Sequence, residues 1–488
     1  MGALDLSRLV DQFAGLRVLV IGDVMLDSYL EGSADRLCRE APVPIVAVSR
    51  RTDSPGGAAN AAANLRALGA QVDLLSVVGD DADSVLLRAA LAQHDVNTVD
   101  IVIDPSRATL AKLRIVANGQ LLVRFDQGTE SDLAGPIESA LAERLSDVFH
   151  QVDAVLVSDY SCGILTPTIR QVLARLQAAA PRVLVVDAKD LPAYRTIGAT
   201  AAKPNYGEAV RMLGAREEQD PRNRADQIEA NGQRLLEIVG ARVLAVTMDT
   251  DGALVFESGQ SPYRTYAHPV PFSRVAGAGD TYVAALTLTL AAGAPVPAAA
   301  ELASAASSLV VRKQGTATCH ADELRDEVAA NNKLIADPGQ LRRRLDLLRQ
   351  QGQTIVFTNG CFDILHSGHI AFLHRAKALG GTLVVGLNSD ASVGRLKGPT
   401  RPVNPLADRA QVLAALSSVD YIIPFDDDTS VNLIRAIRPE TFVKGGDYTL
   451  DGVPEAPAVR EYGGALTILP FVAERSTSSL IERIRAVA

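Results

Sequence analysis

The sequence predicts an α/β protein of two domains: a doubly wound parallel sheet with a small β lid, then a smaller Rossmann-like sheet. Three observations lead there. The chain has 488 residues, more than one hydrophobic core usually spans. Short apolar runs alternate with amphipathic segments of helical length, the rhythm of βα units. Gly-rich stretches at Val275–Thr281 and Thr358–His369 stand where the chain passes into a helix, and such sheets bind ligands at the strand ends.

Composition narrows the function classes. The chain is 47% hydrophobic and 22% charged, an ordinary globular balance. A net charge of -9 without a long basic stripe argues against a nucleic-acid partner. Cys38, Cys162, Cys319 and Cys361 form no CxxC pair, which points away from a disulfide scaffold or zinc ribbon and toward the cytoplasm. The start, MGALDLSRLVDQF, is polar and amphipathic, unlike a signal peptide. Tyr282–Ala300 is Ala-rich but carries Gly293, Pro295 and Pro297. It reads as a buried helix, not a membrane span.

The first domain is expected over residues 1–325. Arg17–Asp23, RVLVIGD, reads as a buried parallel strand with a functional C-terminal end. Met25–Ser49 reads as a β insertion able to cover a pocket. Pro55–Asn60, PGGAAN, should open a helix that Gly69 ends. Further strands are expected at Val72–Val78, Ala108–Val116, Leu121–Asp126, Ala154–Ser158, Val183–Asp187, Ala202–Pro204 and Val243–Thr247. Helices should start near Ala82, Leu133, Pro167 and Asp226, and another should cover Ala298–Arg312. Residues 326–353 read as a linker helix: Asp337-Pro338 and Gln340 form a start signal. Leu341, Leu345 and Leu348 share one face, and Arg342–Arg344 form a solvated one. The second domain, 354–488, should carry strands Thr354–Phe357, Thr382–Asn388, Tyr421–Phe425, Thr441–Lys444 and Leu466–Pro470. Its helices are expected at Ile370–Leu379, Ser430–Ile437 and from Ser476.

Two clusters carry chemistry. Gly277, Ala278 and Gly279 let backbone N–H groups approach a phosphate at a helix start, and Asp280 could take a proton from a hydroxyl. Asn205 and Glu208 fit a capping box. Lys112, Arg114 and Arg124 lie on neighbouring strands. They suit a phosphorylated sugar, and ordinary exposed strand charges fit equally. His366 and His369, three apart around Gly368 at a helix mouth, suit polyphosphate. Zinc-binding helices space histidines by four and need a third ligand, so no direct metal set is expected. Lys397 and Arg401, in RLKGPTRP, fall on a Gly/Pro-rich loop suited to clamping phosphates.

PGGAAN, KPNYGE and GAGD, in this order, resemble the ribokinase-like (PfkB) family of sugar kinases over about the first two-thirds of the chain. The resemblance implies that Asp280 is the general base and residues 277–279 the anion hole. It ties Asn205 and Glu208 to the ATP phosphates and, through water, to Mg²⁺. It places Asp27, Gly56, Gly57 and Asn60 around the sugar. TNGCFDILHSGH resembles the HxGH signature of nucleotidyltransferases. This implies that His366 and His369 stabilise the reacting phosphorus and the departing pyrophosphate. Thr358, Asn359, Gly360 and Phe362 would form the nucleotide loop, with Asp363 as a brace. Lys444 and Asp447, in KGGD, resemble a base and ribose site. Arg475, Ser476 and Thr477 resemble an anion site opening the last helix, where a simple N-cap would look similar.

GDVMLDSY, Arg36 with EAPVPIV, PGGAANAAANL and AKLRI together resemble the bifunctional heptose enzymes. These fuse a D-glycero-β-D-manno-heptose 7-phosphate kinase to a heptose 1-phosphate adenylyltransferase. That resemblance implies ATP as substrate of both domains, Mg²⁺, a separate phosphatase acting between the two steps, and a homodimer. Arg274 and Ala276 depart from the pattern D-x-T-G-A-G-D, which leaves potassium dependence open. Cys162 replaces the lysine of SDYxKG, with Lys189 a candidate substitute. Alternatives are another sugar phosphate or CTP, or a first domain that senses sugar phosphate without turnover.

Overall fold

A computed structural model describes residues 6–470 except 134, 219, 266–276, 314, 315, 332, 336 and 447–451, with backbone alone at 221, 222, 329–331 and 340. The chain divides into two compact units, Met1–Ala329 and Ala330–Ala488.

Among the described residues the first unit has thirteen strands: β1 (Arg17–Gly22), β2 (Val24–Leu37), β3 (Pro44–Gly57), β4 (Gln71–Val78), β5 (Ile101–Ile103), β6 (Ala111–Ala117), β7 (Gln120–Gln127), β8 (Ala154–Asp159), β9 (Val183–Ala188), β10 (Ala201–Ala202), β11 (Val243–Thr247), β12 (Ala253–Glu257) and β13 (Tyr263–Thr265). Nine form one sheet in the order β13-β12-β11-β10-β9-β8-β1-β4-β5. It is parallel from β11 to β5, and β12 and β13 add an antiparallel edge that the sequence reading did not anticipate. The strand order reverses at β1, which pairs with β4 on one side and β8 on the other. Both faces of β1 are buried. Val18 and Val20 join one core, with the helix Ala278–Ala291, and Leu19 and Ile21 join the other. A strand covered on both faces has to read as a continuous apolar run.

The lid is a separate sheet in the order β3-β2-β6-β7. Strands β2 and β3 are 14 residues each, and together they reach from Val24 to Gly57, past the Met25–Ser49 insertion expected. PGGAAN is therefore half strand and half helix, and the helix covers Ala58–Ala67. The changeover falls on Gly57 at φ 59, where a Cβ would lie 2.5 Å from the Asp23 carbonyl oxygen. Only glycine tolerates both the angle and the approach. The capping box at Asn205 and Glu208 opens the helix Tyr206–Leu213, and the next helix begins at Pro221 rather than near Asp226.

The second unit has β14 (Ile355–Gly360), β15 (Thr382–Asn388), β16 (Tyr421–Phe425), β17 (Thr441–Gly445) and β18 (Ala465–Leu469). They form a parallel sheet in the order β16-β15-β14-β17-β18, which is the Rossmann order with its reversal at β14. Helices Asp390–Lys397 and Leu406–Ala414 were not anticipated. Lys397 thus closes a helix, and the Gly/Pro-rich loop begins only at Gly398. The stretch 326–353 is not free-standing chain. Helix Pro338–Gln350 buries Leu341 and Leu345 in the second unit's core beside Ile355, Phe357 and Phe442. Its arginine face is partly engaged, with Arg342 donating to the Ala436 carbonyl at 3.1 Å and Arg344 lying 5.3 Å over the Tyr421 ring. Among the described residues no helix is long and apolar enough to cross a membrane.

Candidate active sites

In the first unit the chain leaves β1 into Asp23, which is fully buried. Its carboxylate accepts backbone N–H bonds from Tyr160 (2.7 Å), Cys162 (3.1 Å) and Ile164 (3.3 Å). Burial, and then the charge of Asp159, push its pKa up to about 6 against those amides. The segment after β8 is thereby folded around the end of β1, the point where the strand order reverses. The Cys162 thiol is pushed up to about 11, chiefly by burial, and is no nucleophile.

Asp280 lies in the first turn of the helix Ala278–Ala291, whose N-cap is Gly277 at φ 95. The carboxylate is buried. Oδ2 accepts from Asn60 Nδ2 at 2.7 Å and Oδ1 from the Tyr160 hydroxyl at 2.9 Å. Burial raises its pKa, and the two donors and Lys203 work against that rise. A Cβ on Gly277 would lie 2.3 Å from Asn60 Nδ2, so glycine lets the amide reach the carboxylate. Lys203, also buried, pairs with Asp187 at 3.1 Å, and a Cβ on Gly279 would lie 3.6 Å from its ammonium. A cation thus stands beside the Gly-Ala-Gly turn. Asp187 is still pushed up to about 7 by burial.

A cavity of about 460 Å³ runs past Lys203, Asn205, Glu208, Gly279 and Asp280. Asn205 and Glu208 close a full capping box, each accepting from the other's backbone N–H at 2.9 Å. They cap a helix and line the cavity at once. On the lid side, Asp27 accepts from Arg114 Nη1 at 2.7 Å, and a Cβ on Gly56 would come within 2.8 Å of Asp27 Oδ2. Lys112 and Lys189 lie 5.4 and 5.8 Å over the Tyr160 ring. Asp27, Gly56, Gly57, Asn60, Lys112 and Arg114 are in this way linked, by contact or strand register, to the neighbourhood of Tyr160 and Asp280. Arg124 stands opposite Arg114 in register, but its side chain is 51% exposed and held by Asp126 at 2.9 Å. Arg274 and Ala276 lie outside the described residues. Sequence reasoning gave no role to Tyr160, Asp187 or Lys203, whose local signals were SDY and KPN, and read Asp23 only as the functional end of its strand.

In the second unit β14 hands over to the helix Ser367–Lys377 through the loop that carries Phe362 and Asp363. His366 is the N-cap, its Nδ1 accepting from the Gly368 N–H at 3.1 Å. The His366 and His369 rings lie 4.0 Å apart, and Phe362 lies 5.4 Å from His369. Burial, with help from His366 and Lys397, depresses the His369 pKa to about 4. A Cβ on Gly360 would come 2.9 Å from the Phe362 ring. Thr358 Oγ1 and His369 Nδ1 are buried without a hydrogen-bond partner among the described residues. Lys444, at the end of β17, donates to Asn359 Oδ1 and to buried Glu455, both at 3.1 Å.

Asp363 joins this loop to the basic one, accepting from Arg401 Nη1 at 2.6 Å and from the Val403 and Asn404 N–H groups at 2.7 and 3.1 Å. Buried Arg409, which the sequence reading passed over, donates to the Cys361, Asn388 and Asn404 carbonyls at 2.6, 2.9 and 3.0 Å and to Asp390 at 2.6 Å. Thr358, Asn359, Gly360, Phe362, His366, His369 and Lys444 therefore gather where the strand order reverses. Lys397 acts on His369 through its charge. Asp447, Arg475, Ser476 and Thr477 lie outside the described residues.

Comparison with known proteins accounts for both units. Residues 16–323 match the model of the pfkB family of carbohydrate kinases, and residues 357–482 match the cytidylyltransferase-like model. The chain is 40% identical over 487 residues to the bifunctional protein HldE of Syntrophotalea carbinolica, covering 98% of this chain and 97% of that one. It is also 40% identical to HldE of Geobacter sulfurreducens over 491 residues, 98% of each chain. Phosphofructokinase-2 from Escherichia coli, solved with substrates and products, shares the fold at a TM-score of 0.53 and 21% identity, covering 64% of this chain and 99% of that one. The chain belongs to the HldE family of bifunctional transferases, a pfkB-family carbohydrate kinase joined to a cytidylyltransferase-like nucleotidyltransferase.

Proposed function

We propose that the first unit transfers the γ-phosphoryl of ATP to the anomeric hydroxyl of D-glycero-D-manno-heptose 7-phosphate, giving the 1,7-bisphosphate. The second unit transfers AMP from ATP to heptose 1-phosphate, giving ADP-heptose and pyrophosphate. The observation that carries the kinase half is the buried cluster of Asp280, Asn60 and Tyr160 at a helix N-terminus, beside the cavity that Lys203 and Glu208 line. Asp280 takes the proton of the attacking hydroxyl, and its raised pKa suits a base working near neutrality. Gly277, Ala278 and Gly279 present backbone N–H groups to the transferred phosphoryl, and Lys203 neutralises its charge. Asp27, Gly56, Gly57 and Asn60 hold the sugar, with Lys112, Arg114 and Arg124 toward its phosphate. Asn205 and Glu208 face the ATP phosphates.

Among the described residues no cluster of three or more His, Cys, Asp or Glu could hold a metal alone. The oxygen donors of the wall, Glu208 foremost, suit Mg²⁺ shared with nucleotide phosphates. The ion would supply charge neutralisation there.

In the second unit Thr358 Oγ1 and His369 Nδ1, without a partner among the described residues, support a bound triphosphate, because buried polar atoms seek partners. His366 and His369 stabilise the charge on the reacting phosphorus and pyrophosphate. Lys397 and Arg401 clamp phosphates. Thr358, Asn359, Gly360, Phe362, Lys444 and Asp447 hold the nucleotide, and Arg475, Ser476 and Thr477 complete the anion site.

The two steps are not consecutive, because a separate phosphatase must first remove the 7-phosphate. A cytoplasmic homodimer completes the proposal. Phosphorus NMR of the full chain with ATP, Mg²⁺ and heptose 7-phosphate, before and after adding a phosphatase, tests it. The 1,7-bisphosphate should form first, and ADP-heptose only afterwards. No bisphosphate with this sugar would overturn the kinase assignment. The cytidylyltransferase-like match favours one second reading, CTP at the second site, and pyrophosphate release from CTP in place of ATP would establish it.

A further inference from the structure

Asp280 sits in a place hostile to a carboxylate, and it has two side-chain donors. Asn60 is held in its own orientation. Its Oδ1 accepts from Asn64 Nδ2 at 3.2 Å, and Asn64 Oδ1 in turn accepts from Thr281 Oγ1 at 2.8 Å and the Cys319 N–H at 3.2 Å. That chain fixes Oδ2. The donor on Oδ1 comes from elsewhere in the fold. The Tyr160 hydroxyl reaches it at 2.9 Å across 120 residues of sequence. The Tyr160 backbone is pinned by the N–H bond to Asp23, and the two neighbouring Asp23 bonds, from Cys162 and Ile164, hold the rest of the turn. Its ring lies against the changeover from lid strand to helix, where a Cβ on Gly57 would meet Cε2 at 3.4 Å.

We propose that Tyr160 is a positioning residue for the kinase reaction: its hydroxyl, set by the Asp23 turn, holds Oδ1 of Asp280 and leaves the carboxylate's remaining lone pairs to the sugar hydroxyl. Asn60 and Tyr160 together hold the carboxylate, one donor to each oxygen. A base so held needs no reorientation when substrate arrives. The phenol is a donor at every working pH, because burial and the charge of Asp280 hold its own pKa well above the ordinary tyrosine value. Donation favours the ionised carboxylate. The other charges acting on Asp280 are Lys203, which also favours ionisation, and Asp27, which opposes it; Asp280 in turn bears on Asp187. This role rests on the assignment of Asp280 as the base.

The test is the pH profile of ADP formation by the full chain with heptose 7-phosphate, for wild type, Tyr160→Phe and Asp280→Asn. Loss of one hydrogen bond to a charged group should lower kcat about 10- to 100-fold. Because that bond favours the charged form, its loss raises the pKa of Asp280, and the acid limb of kcat should move about 1–2 pH units upward. KM for ATP should change little. A Tyr160→Phe profile parallel to wild type, lowered or not, would overturn the inference, since a merely structural ring would leave the limb in place. If Asp280→Asn itself keeps kinase activity, the base assignment fails as well. If Asp280→Asn is inactive while Tyr160→Phe matches wild type, the inference alone fails. Phenylalanine keeps the ring on Gly57, and circular dichroism with unchanged pyrophosphate release by the second unit checks that the variant is folded.

Discussion

Arg409→Met tests how the nucleotidyltransferase loop is held. The side chain is 1% exposed, and its guanidinium bonds three carbonyls, of Cys361, Asn388 and Asn404. Methionine keeps most of the volume and removes every donor. Three carbonyls left dry would cost about 1–3 kcal/mol each, and release from burying a guanidinium offsets part of that. The Asp390 partner is 47% exposed and adds little. A net loss of about 3–5 kcal/mol results, the usual cost of breaking a buried charged contact. Hydrogen exchange on the full chain reads this locally. Amides of β14 and β15 that open only with global unfolding of the unit should exchange about 200- to 5,000-fold faster. Pyrophosphate release should fall with them, while ADP formation by the first unit persists, since Cys361, Asn388, Asp390 and Asn404, which Arg409 bonds, all belong to the second unit. Arg409→Lys, with one charge and three donors, should fall between. Unchanged exchange in β14 and β15 of the methionine variant would refute the reasoning.

Other outcomes follow from the same geometry. Asp280→Asn should cut ADP formation about 10²- to 10⁴-fold and spare pyrophosphate release, and His366→Ala should do the reverse; loss of both activities in either folded variant would contradict two independent sites. Gly277→Ala should abolish kinase turnover, because its Cβ would displace Asn60 and its φ of 95 strains any other residue; wild-type kcat would show that the Asn60 bond is dispensable. His369, at about 4 in the folded chain, should be neutral above about pH 5 in a proton NMR titration. The unfolded chain then binds more protons between about pH 4 and 6.5, so stability is lost as pH falls through that window and is constant above it; His369→Gln should flatten that slope, and a titration near 6.5 would disprove the burial effect.

Local chemistry was legible in the sequence where it was written in adjacent residues. The His pair, the Gly-Ala-Gly-Asp turn and the Asn205 cap were each visible, because a helix start is specified within a few residues. The sheets followed from apolar runs, and each strand's rank order did not. What escaped were partners brought together by the fold. Asp23 and Tyr160 are 137 residues apart and Tyr160 and Asp280 are 120, and no periodicity encodes such pairs. Arg409 carried no local signal in the sequence, yet among the described residues its side chain is almost fully buried. PGGAAN misled in the other direction. It was read as opening a helix, yet only Ala58-Ala59-Asn60 is helical; Pro55-Gly56-Gly57, poor helix formers, finish the lid strand.

The hydrogen bond from the Gly368 N–H to His366 Nδ1 has a tautomeric consequence. A ring nitrogen that accepts cannot carry the proton, so the neutral imidazole must hold it on Nε2. The ring then presents a donor whether it is neutral or charged. Protonation would break the Gly368 bond before it changed what the other edge offers. An anion meeting Nε2 therefore meets a hydrogen across the whole neutral range, and nitrogen-15 shifts of the free chain should show Nε2 protonated and Nδ1 bare.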